Sequence, residues 1–379
     1  MTLLPAAIEP LAPAIYRQRL RDVAVEAERR GLSGLLITPS PDYAYLLGYR
    51  PPALERLTCL VISASGVPVV VLPRLEEPLA RHQLAELADE IELVAWDETD
   101  DPFRLVRDRL AGVSGRVGVQ DQMWARFVLR LRAALDPIDL VEAGPTLAAL
   151  RVIKRPEEVD RLRAAAAAAD AAMDGITAEP LAGRSEAEVS RRINELLIAA
   201  GHQTADFAIV ASGPNSASPH HEPGARLIKE GDAVVLDIGG SLGGYGSDTT
   251  RTAFVGEPPP EFAALYEVLR QAQAAACEAV APGVPAEAVD AAARDVIAAA
   301  GYGDRFIHRT GHGIGMETHE EPYLVAGNAQ PLRPGHAFSV EPGIYFEGRW
   351  GARIEDIVIC TESGGERLNA SSRELRIVA

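Results

Sequence analysis

Basic residues are in short supply. The 379-residue chain carries 37 Lys and Arg against 54 Asp and Glu, a formal net charge of −17. That excess repels phosphate backbones and anionic lipid, which argues against nucleic acid or a membrane as the main partner. Cysteine is scarcer still: three residues, Cys59, Cys277 and Cys360, far apart and odd in number. They form no metal spacing and point to buried thiols in a reducing, cytoplasmic compartment. Long apolar runs are missing too. A long uncharged stretch, Thr58 to Pro73, is interrupted by Gly66 and Pro68, so it reads as two strands joined by a turn and not as a membrane span. The opening residues, MTLLPAAIEPLAP, have no basic start and are broken by Pro5, Glu9 and Pro10, so no signal peptide is expected. An apolar content of 47% still supports a sizeable core, and the length suits two domains.

Acid beside glycine is plentiful. The stretch from Ala233 to Thr252, AVVLDIGGSLGGYGSDTTRT, places Asp237 at the end of an apolar run and Asp248 at the start of a Thr-rich, β-branched one. Gly239, Gly240, Gly243, Gly244 and Gly246 lie between them and suit a hairpin turn. Such a hairpin brings two carboxylates to one end of a strand pair; the same residues also read as an ordinary turn cap and strand start. Three later stretches break the tie: RTGHGIGMETHE with His312 and His319, FSVEPGIY with Glu341, and GARIEDI with Glu355. Glu341 and Glu355 repeat the pattern, two acids on adjacent strands across a turn. Four carboxylates and one imidazole sharing a cleft repel one another unless cations are present, and two divalent ions would neutralise them.

With the contexts LDIGG, SDTTRT, GHGIG, VEPGIY and RIED in this order, the chain resembles the pita-bread metallopeptidases. Within them it most resembles the proline-specific branch, Xaa-Pro dipeptidases (prolidases) and Xaa-Pro aminopeptidases. Each motif alone is weak; five in order between Asp237 and Glu355 are specific. The resemblance implies an α/β (α+β) chain: a creatinase/prolidase-like domain over 1–148, then a catalytic pita-bread domain over 149–379 with pseudo-two-fold symmetry. It implies Asp237, Asp248, His312, Glu341 and Glu355 as ligands of two divalent metal ions, manganese before cobalt or zinc. Asp248 and Glu355 bridge both ions, and Glu341 also shuttles a proton to the leaving nitrogen. His319 polarises the scissile carbonyl, His220 holds the substrate with His221 as the lesser candidate, and Arg353 anchors a carboxylate or orients its neighbours. The partners implied are proline-containing di- or short peptides and a second copy of the chain in a homodimer.

The segments fit two domains. Residues 14–150 alternate strands and helices, as a layered sheet requires. The boundary falls near Leu147 to Pro156, where a long helix opens with Pro156 near its start and acids in its first turn. Its alanine run, Ala164 to Ala169, favours a tightly packed helix over disorder. A second helix, Ser185 to Ala200, starts with the capping box Ser185–Glu188, and two more are expected over Pro260–Val280 and Pro285–Ala300. Helix, helix, acidic hairpin therefore occurs twice, as a duplication would give.

His82 reads as a surface residue, and His202, His308 and His336 as structural. Dipeptide specificity requires a cation for the proline carboxylate, and the sequence offers Arg353, Arg50 and Arg56. The overall length favours a dipeptidase over an Xaa-Pro aminopeptidase. A methionine aminopeptidase usually lacks so large an N-terminal domain, and a creatinase-like amidinohydrolase or a metal-free binding protein would have lost ligands present here.

Overall fold

The computed structural model describes residues 10–63 and 66–379. Most of the N-terminal stretch judged for a signal peptide, and part of the turn after Ser63, lie outside the described residues. The chain divides into two compact units, Pro10–Arg151 and Val152–Ala379.

The first unit is a mixed sheet of β1 (Gly34–Ile37), β2 (Cys59–Ser63), β3 (Val69–Pro73), β4 (Glu92–Trp96), β5 (Arg116–Val119) and β6 (Asp139–Glu142), in the order β4-β3-β2-β1-β5-β6. Its helices are α1 (Pro13–Arg29), α2 (Pro41–Leu47), α3 (Glu77–Gln83), α4 (Pro102–Arg109), α5 (Ala125–Ala134) and α6 (Gly144–Arg151). Short strands of Leu, Val and Ile, fully buried in β1 and β3, form its core with Phe103, Phe127 and Leu131. The unit extends slightly past the boundary expected at 148/149. The reason is side-chain chemistry: Arg151 pairs with Asp42 at 2.7 Å and the Tyr45 hydroxyl donates to the Leu150 carbonyl, which hold α6 to α2.

The second unit opens with α7 (Pro156–Thr177) and α8 (Glu186–Ala199), followed by β7 (Thr204–Ser212), β8 (Ala233–Leu242), β9 (Tyr245–Gly246) and β10 (Thr249–Val255). Then come α9 (Pro260–Ala279), α10 (Ala286–Ala299), β11 (Gly311–Gly313), β12 (Glu320–Leu324), β13 (Ala337–Val340), β14 (Gly343–Phe346), β15 (Trp350–Arg353), β16 (Asp356–Thr361), β17 (Gly364–Arg367) and β18 (Arg376–Val378). Strands order as β18-β10-β8-β7 in one sheet and β12-β11-β13-β16-β17 in another, with β14 and β15 forming a separate hairpin. A helix pair thus precedes each sheet. α8 starts with both bonds of the Ser185–Glu188 capping box.

Two details of the acidic hairpins differ from the sequence reading. β8 continues to Leu242, so Asp237 sits mid-strand and Gly239 and Gly240 belong to the strand. The turn is only Gly243–Gly244, both at positive φ (60° and 84°), the backbone that a two-residue hairpin loop demands. Likewise, Glu341 and Glu355 are not joined by a simple turn. The β14–β15 hairpin is inserted between them, while β13 and β16 pair antiparallel up to Val340↔Asp356, so the two acids still emerge side by side.

The alanine run in α7 faces the core. Ala165, Ala166, Ala169 and Ala172 are buried, Ala169 and Ala172 against Val234, Leu236 and Ile238 of β8. Small side chains let this helix lie close to the strand that carries Asp237. Ala169→Leu should therefore overpack the contact and cost ~1–3 kcal/mol in denaturant unfolding. Ala167→Leu, on the exposed face, should stay within about 0.5 kcal/mol; equal effects would contradict this orientation of the helix.

Candidate active site and metal centre

Within the second unit, one cavity of about 840 Å³ collects the five expected metal ligands and three of the other candidates: Asp237, Asp248, His312, Glu341, Glu355, His220, His319 and Arg353 all line it. That size suits a small-molecule or short-peptide ligand.

The first sheet supplies two acids. Asp237 is paired in register with Ile209 of β7 on one side and Thr250 of β10 on the other, so these side chains share a face. Asp248 immediately precedes β10 and is buried. The second sheet supplies the rest. In β11, His312 lies between Gly311 and Gly313, where a Cβ would stand 1.9 Å from the Ser339 carbonyl oxygen and 2.2 Å from that of Glu321; only glycine lets the strand run so close to its neighbours. The His312 ring uses Nδ1 on the Gly313 carbonyl at 3.1 Å. Its Nε2 points at Asp248 (3.6 Å) and Glu341 (3.3 Å). Glu355 accepts from the Thr250 hydroxyl at 2.7 Å, and its backbone N–H donates to the Thr250 carbonyl, which stitches the two sheets together at the site.

The electrostatics are those of a cluster short of positive charge. Burial, then the charges of Asp237 and Glu341, push the Asp248 carboxyl well up. Burial, then Asp248, Glu341 and Asp237, do the same to Glu355. Burial also raises Glu341, to about 7, with Arg353 opposing. The His312 imidazole is lowered to about 3, by burial first and then by His319, and so is neutral at physiological pH. A neutral imidazole with one nitrogen tied to a carbonyl and the other facing carboxylates is the form that binds a cation.

The donor set therefore fits divalent metal. Ligand atoms of Asp248, His312 and Glu355 lie within 4.8 Å of one another. Asp237 gives one carboxylate oxygen to Arg353, and its other oxygen, Oδ1, is buried without a hydrogen-bond partner. A buried carboxylate oxygen facing three other acids without a donor is satisfied by a metal ion.

Arg353 is engaged through all three of its nitrogens. It donates to Asp237, to the Tyr345 hydroxyl (2.9 Å) and to Thr250 Oγ1 (3.2 Å). It orients Asp237, which leaves it poorly placed for a substrate carboxylate. His220 and His319 are exposed on the cavity wall, with the His319 ring 4.0 Å from that of His312. His221 points elsewhere, to Glu186 at 2.8 Å. Arg50 and Arg56 belong to the first unit, where Arg56 pairs with Glu98 and Glu55; the cavity is built from the second unit alone.

His202 and His336 are buried and hydrogen-bonded away from the cavity, to Ser247 and to the Arg333 N–H. His308, also read as structural, has both ring nitrogens engaged within the protein, Nδ1 with the Arg309 carbonyl at 2.8 Å. It lines the cavity, and its Nε2 meets the Tyr345 hydroxyl at 2.9 Å, in a chain that continues to Arg353 and Asp237. Its place four residues before His312 was the available signal. Arg309, which opens the RTGHGIGMETHE stretch but was given no role, also lines the cavity, as do Ile307, Phe207 and Ile209, which no motif marked.

The loop bearing His220 is moored to one buried carboxylate. Glu186, wholly buried at the start of α8, accepts from Ser212 N (2.8 Å), Ser212 Oγ (2.7 Å), Asn215 Nδ2 (3.0 Å), Gly224 N (3.3 Å) and His221. Burial alone would raise its pKa, but these donors outweigh it and hold the group below the usual carboxylate range. Glu186→Gln puts an NH₂ against donors. It should cost ~1–3 kcal/mol of stability and lower turnover while bound metal is retained. Unchanged turnover in a folded, metal-loaded variant would show that the mooring does not position the loop.

Comparisons with known proteins agree with this geometry. Residues 19–153 match the creatinase/prolidase N-terminal domain, and residues 160–362 match metallopeptidase family M24. The chain is 49% identical over 366 residues to a protein of Mycobacterium tuberculosis named probable dipeptidase PepE, covering 96% of this chain and 97% of that one. It is 32% identical to an Xaa-Pro dipeptidase of Lactobacillus helveticus, covering 88% of this chain and 92% of the relative. Among solved structures, the dipeptidase PepE of Mycobacterium ulcerans superposes with a TM-score of 0.91 at 48% identity, covering 98% of this chain and 100% of that one. The prolidase of Thermococcus sibiricus gives 0.90 at 37%, covering 96% and 99%. With its creatinase/prolidase-type first domain, pita-bread second domain and carboxylate-rich cavity, the chain belongs to metallopeptidase family M24.

Proposed function

We propose that this protein is a dinuclear-metal Xaa-Pro dipeptidase, cleaving the bond before proline in dipeptides. The observation that carries the reading is the cavity in which four carboxylates and one neutral imidazole converge beside two exposed histidines. Kinship to proteins named dipeptidase and Xaa-Pro dipeptidase supports the substrate class.

Asp237 through Oδ1, Asp248, His312 through Nε2, Glu341 and Glu355 would hold two divalent ions. When bound, the ions supply Lewis acidity and a water acidic enough to attack near neutral pH. An Xaa-Pro bond is a tertiary amide, so its nitrogen must gain a proton to leave. Glu341, on the cavity wall 3.3 Å from His312 Nε2, is the residue placed to carry that proton. His319, exposed on the wall beside His312, donates to the oxygen of the scissile carbonyl as negative charge builds there. His220, on its moored loop, holds the substrate on the leaving-group side. Arg353 keeps Asp237 oriented.

Manganese is the ion we propose, because an oxygen-rich set with a single imidazole suits a hard cation. A cytoplasmic setting is supported by three free cysteines, all buried; burial raises the Cys59 and Cys277 thiols to about 12 and about 11, which keeps them unreactive. Among the described residues no helix is long and apolar enough to cross a membrane. We carry the homodimer implied by the family resemblance as part of the same proposal.

Metal uptake should be strongly pH-dependent. Raised carboxyl pKa values mean that the folded, metal-free protein binds more protons than the unfolded chain. The stability this contributes is fully present below an unfolded carboxyl pKa of about 4 and is lost as pH rises. For Glu341 the loss runs up through about 7. Divalent ions displace those protons, so the gain in melting temperature on adding Mn²⁺ should grow from about pH 5 to about pH 8, with protons released in weakly buffered solution. A pH-independent gain would count against the carboxylate centre.

The functional test is a substrate pair. With Mn²⁺ present, Ala-Pro should be cleaved with kcat/KM at least ~10-fold above Ala-Pro-Ala, the discrimination expected from ~1.4 kcal/mol of carboxylate recognition. Comparable or faster cleavage of the tripeptide would move the assignment to Xaa-Pro aminopeptidase.

A further inference from the structure

A dipeptidase must recognise a free C-terminal carboxylate, and the cavity wall shows which cation is available for it. Two arginines line the cavity, Arg309 and Arg353. Arg353 spends its donors on Asp237, Tyr345 and Thr250. Arg309 is different. Among the described residues no carboxylate forms an ion pair with it, in a chain whose acids outnumber its basic residues, 54 to 37. Its guanidinium carbon lies 4.3 Å from the centroid of the Tyr323 ring. A ring satisfies the cation without taking its N–H groups as a carboxylate would, and those groups form the planar fork that matches a carboxylate. The ring contact also restricts the side chain, so less freedom is lost when a ligand binds.

Placement adds a second argument. Ile307, His308 and Arg309 are consecutive lining residues that lead into β11, and His312 follows three positions after Arg309. Ile307 joins Phe207 and Ile209 in lining the cavity with apolar surface. A short substrate entering here meets apolar wall, unpaired cation and the carboxylate cluster within one enclosure.

We propose that Arg309 binds the C-terminal carboxylate of the substrate and thereby restricts cleavage to dipeptides. The inference rests on the dipeptidase reading above. A third residue would put a neutral amide against the guanidinium, which loses the charge-assisted pair and leaves the cation without an anion.

The test compares Ala-Pro with Ala-Pro-amide, identical except for the terminal charge, in the Mn²⁺-loaded wild type and in Arg309→Met and Arg309→Lys. The wild type should prefer Ala-Pro by at least ~10-fold in kcat/KM. Arg309→Met, which keeps an apolar stem over Tyr323, should bring that ratio to about 1, with most of the change in KM for Ala-Pro, because the contact is remote from the bond that breaks. Arg309→Lys, which keeps charge but lacks the fork, should fall between. Metal content and melting temperature identify a variant that has merely misfolded; in that event the Lys variant and competitive inhibition of the wild type by proline against prolinamide decide. Discrimination that survives in Arg309→Met, or proline and prolinamide inhibiting equally, would overturn Arg309 as the anchor. Wild-type enzyme that cleaves Ala-Pro, its amide and Ala-Pro-Ala equally well would instead overturn the dipeptidase reading, and the anchor with it.

Discussion

Mutual repulsion among Asp237, Asp248, Glu341 and Glu355 is the constraint around which the second unit is arranged. Carboxylates taken out of water and set beside one another ionise together only if positive charge is supplied. The protein itself supplies little. Arg353 is placed against Asp237, and for the other three acids burial and neighbouring charge favour the protonated form. The remaining charge has to come from cations, and that same shortage is what makes the cavity suit divalent metal.

Holding such a cluster in place takes support that outlasts the strain. The strand pair β8–β10 fixes Asp237 opposite Thr250, and Thr250 in turn donates to Glu355. Behind them, Arg251 is fully buried; it donates to the Glu355 carbonyl and to Asp356, which also receives Gln273 and Arg373. Buried ion pairs of this kind are weak sources of net stability but costly to break, because the surviving charge is left without a partner. Here the network ties the backbone on both sides of the interface between sheets, so the acids of the two halves keep one spacing. Glu186 performs the corresponding task for the His220 loop with a single carboxylate and a ring of donors.

Much of this was legible in the chain. Helix boundaries followed from caps and glycines, as in Ser185–Glu188 ahead of α8, because capping is a local matter of three or four residues. The alanine run of α7 was readable as packed helix, since alanine both favours helix and permits close approach. Misreadings came where tertiary pairing overrode local pattern. Gly239 and Gly240 looked like turn residues, yet β7 and β10 flank that part of β8 and keep it extended. The β14–β15 hairpin went unseen because VEPGIY and GARIED read as continuous with the strands beside them. The short helix α2 and the long strand β7 were also passed over, the first for its length and the second for its mixed exposure.

The sequence by itself determined the chemistry gathered at the centre: two acids on one strand pair, two on another, and one imidazole between glycines. Those choices are written in short motifs whose spacing is set by strand and turn geometry, which acts over a few residues. Only the tertiary structure decided which side chains are already spoken for. Arg353 and His221 were candidates for substrate and are bound to Asp237 and Glu186, whereas Arg309 and His308, which were given no role, stand on the cavity wall. A donor is free or engaged according to what lies opposite it, and the partners of Arg353 and His221 come from residues 116 and 35 positions away. No local pattern encodes a contact at that separation; it exists only once the sheets have met.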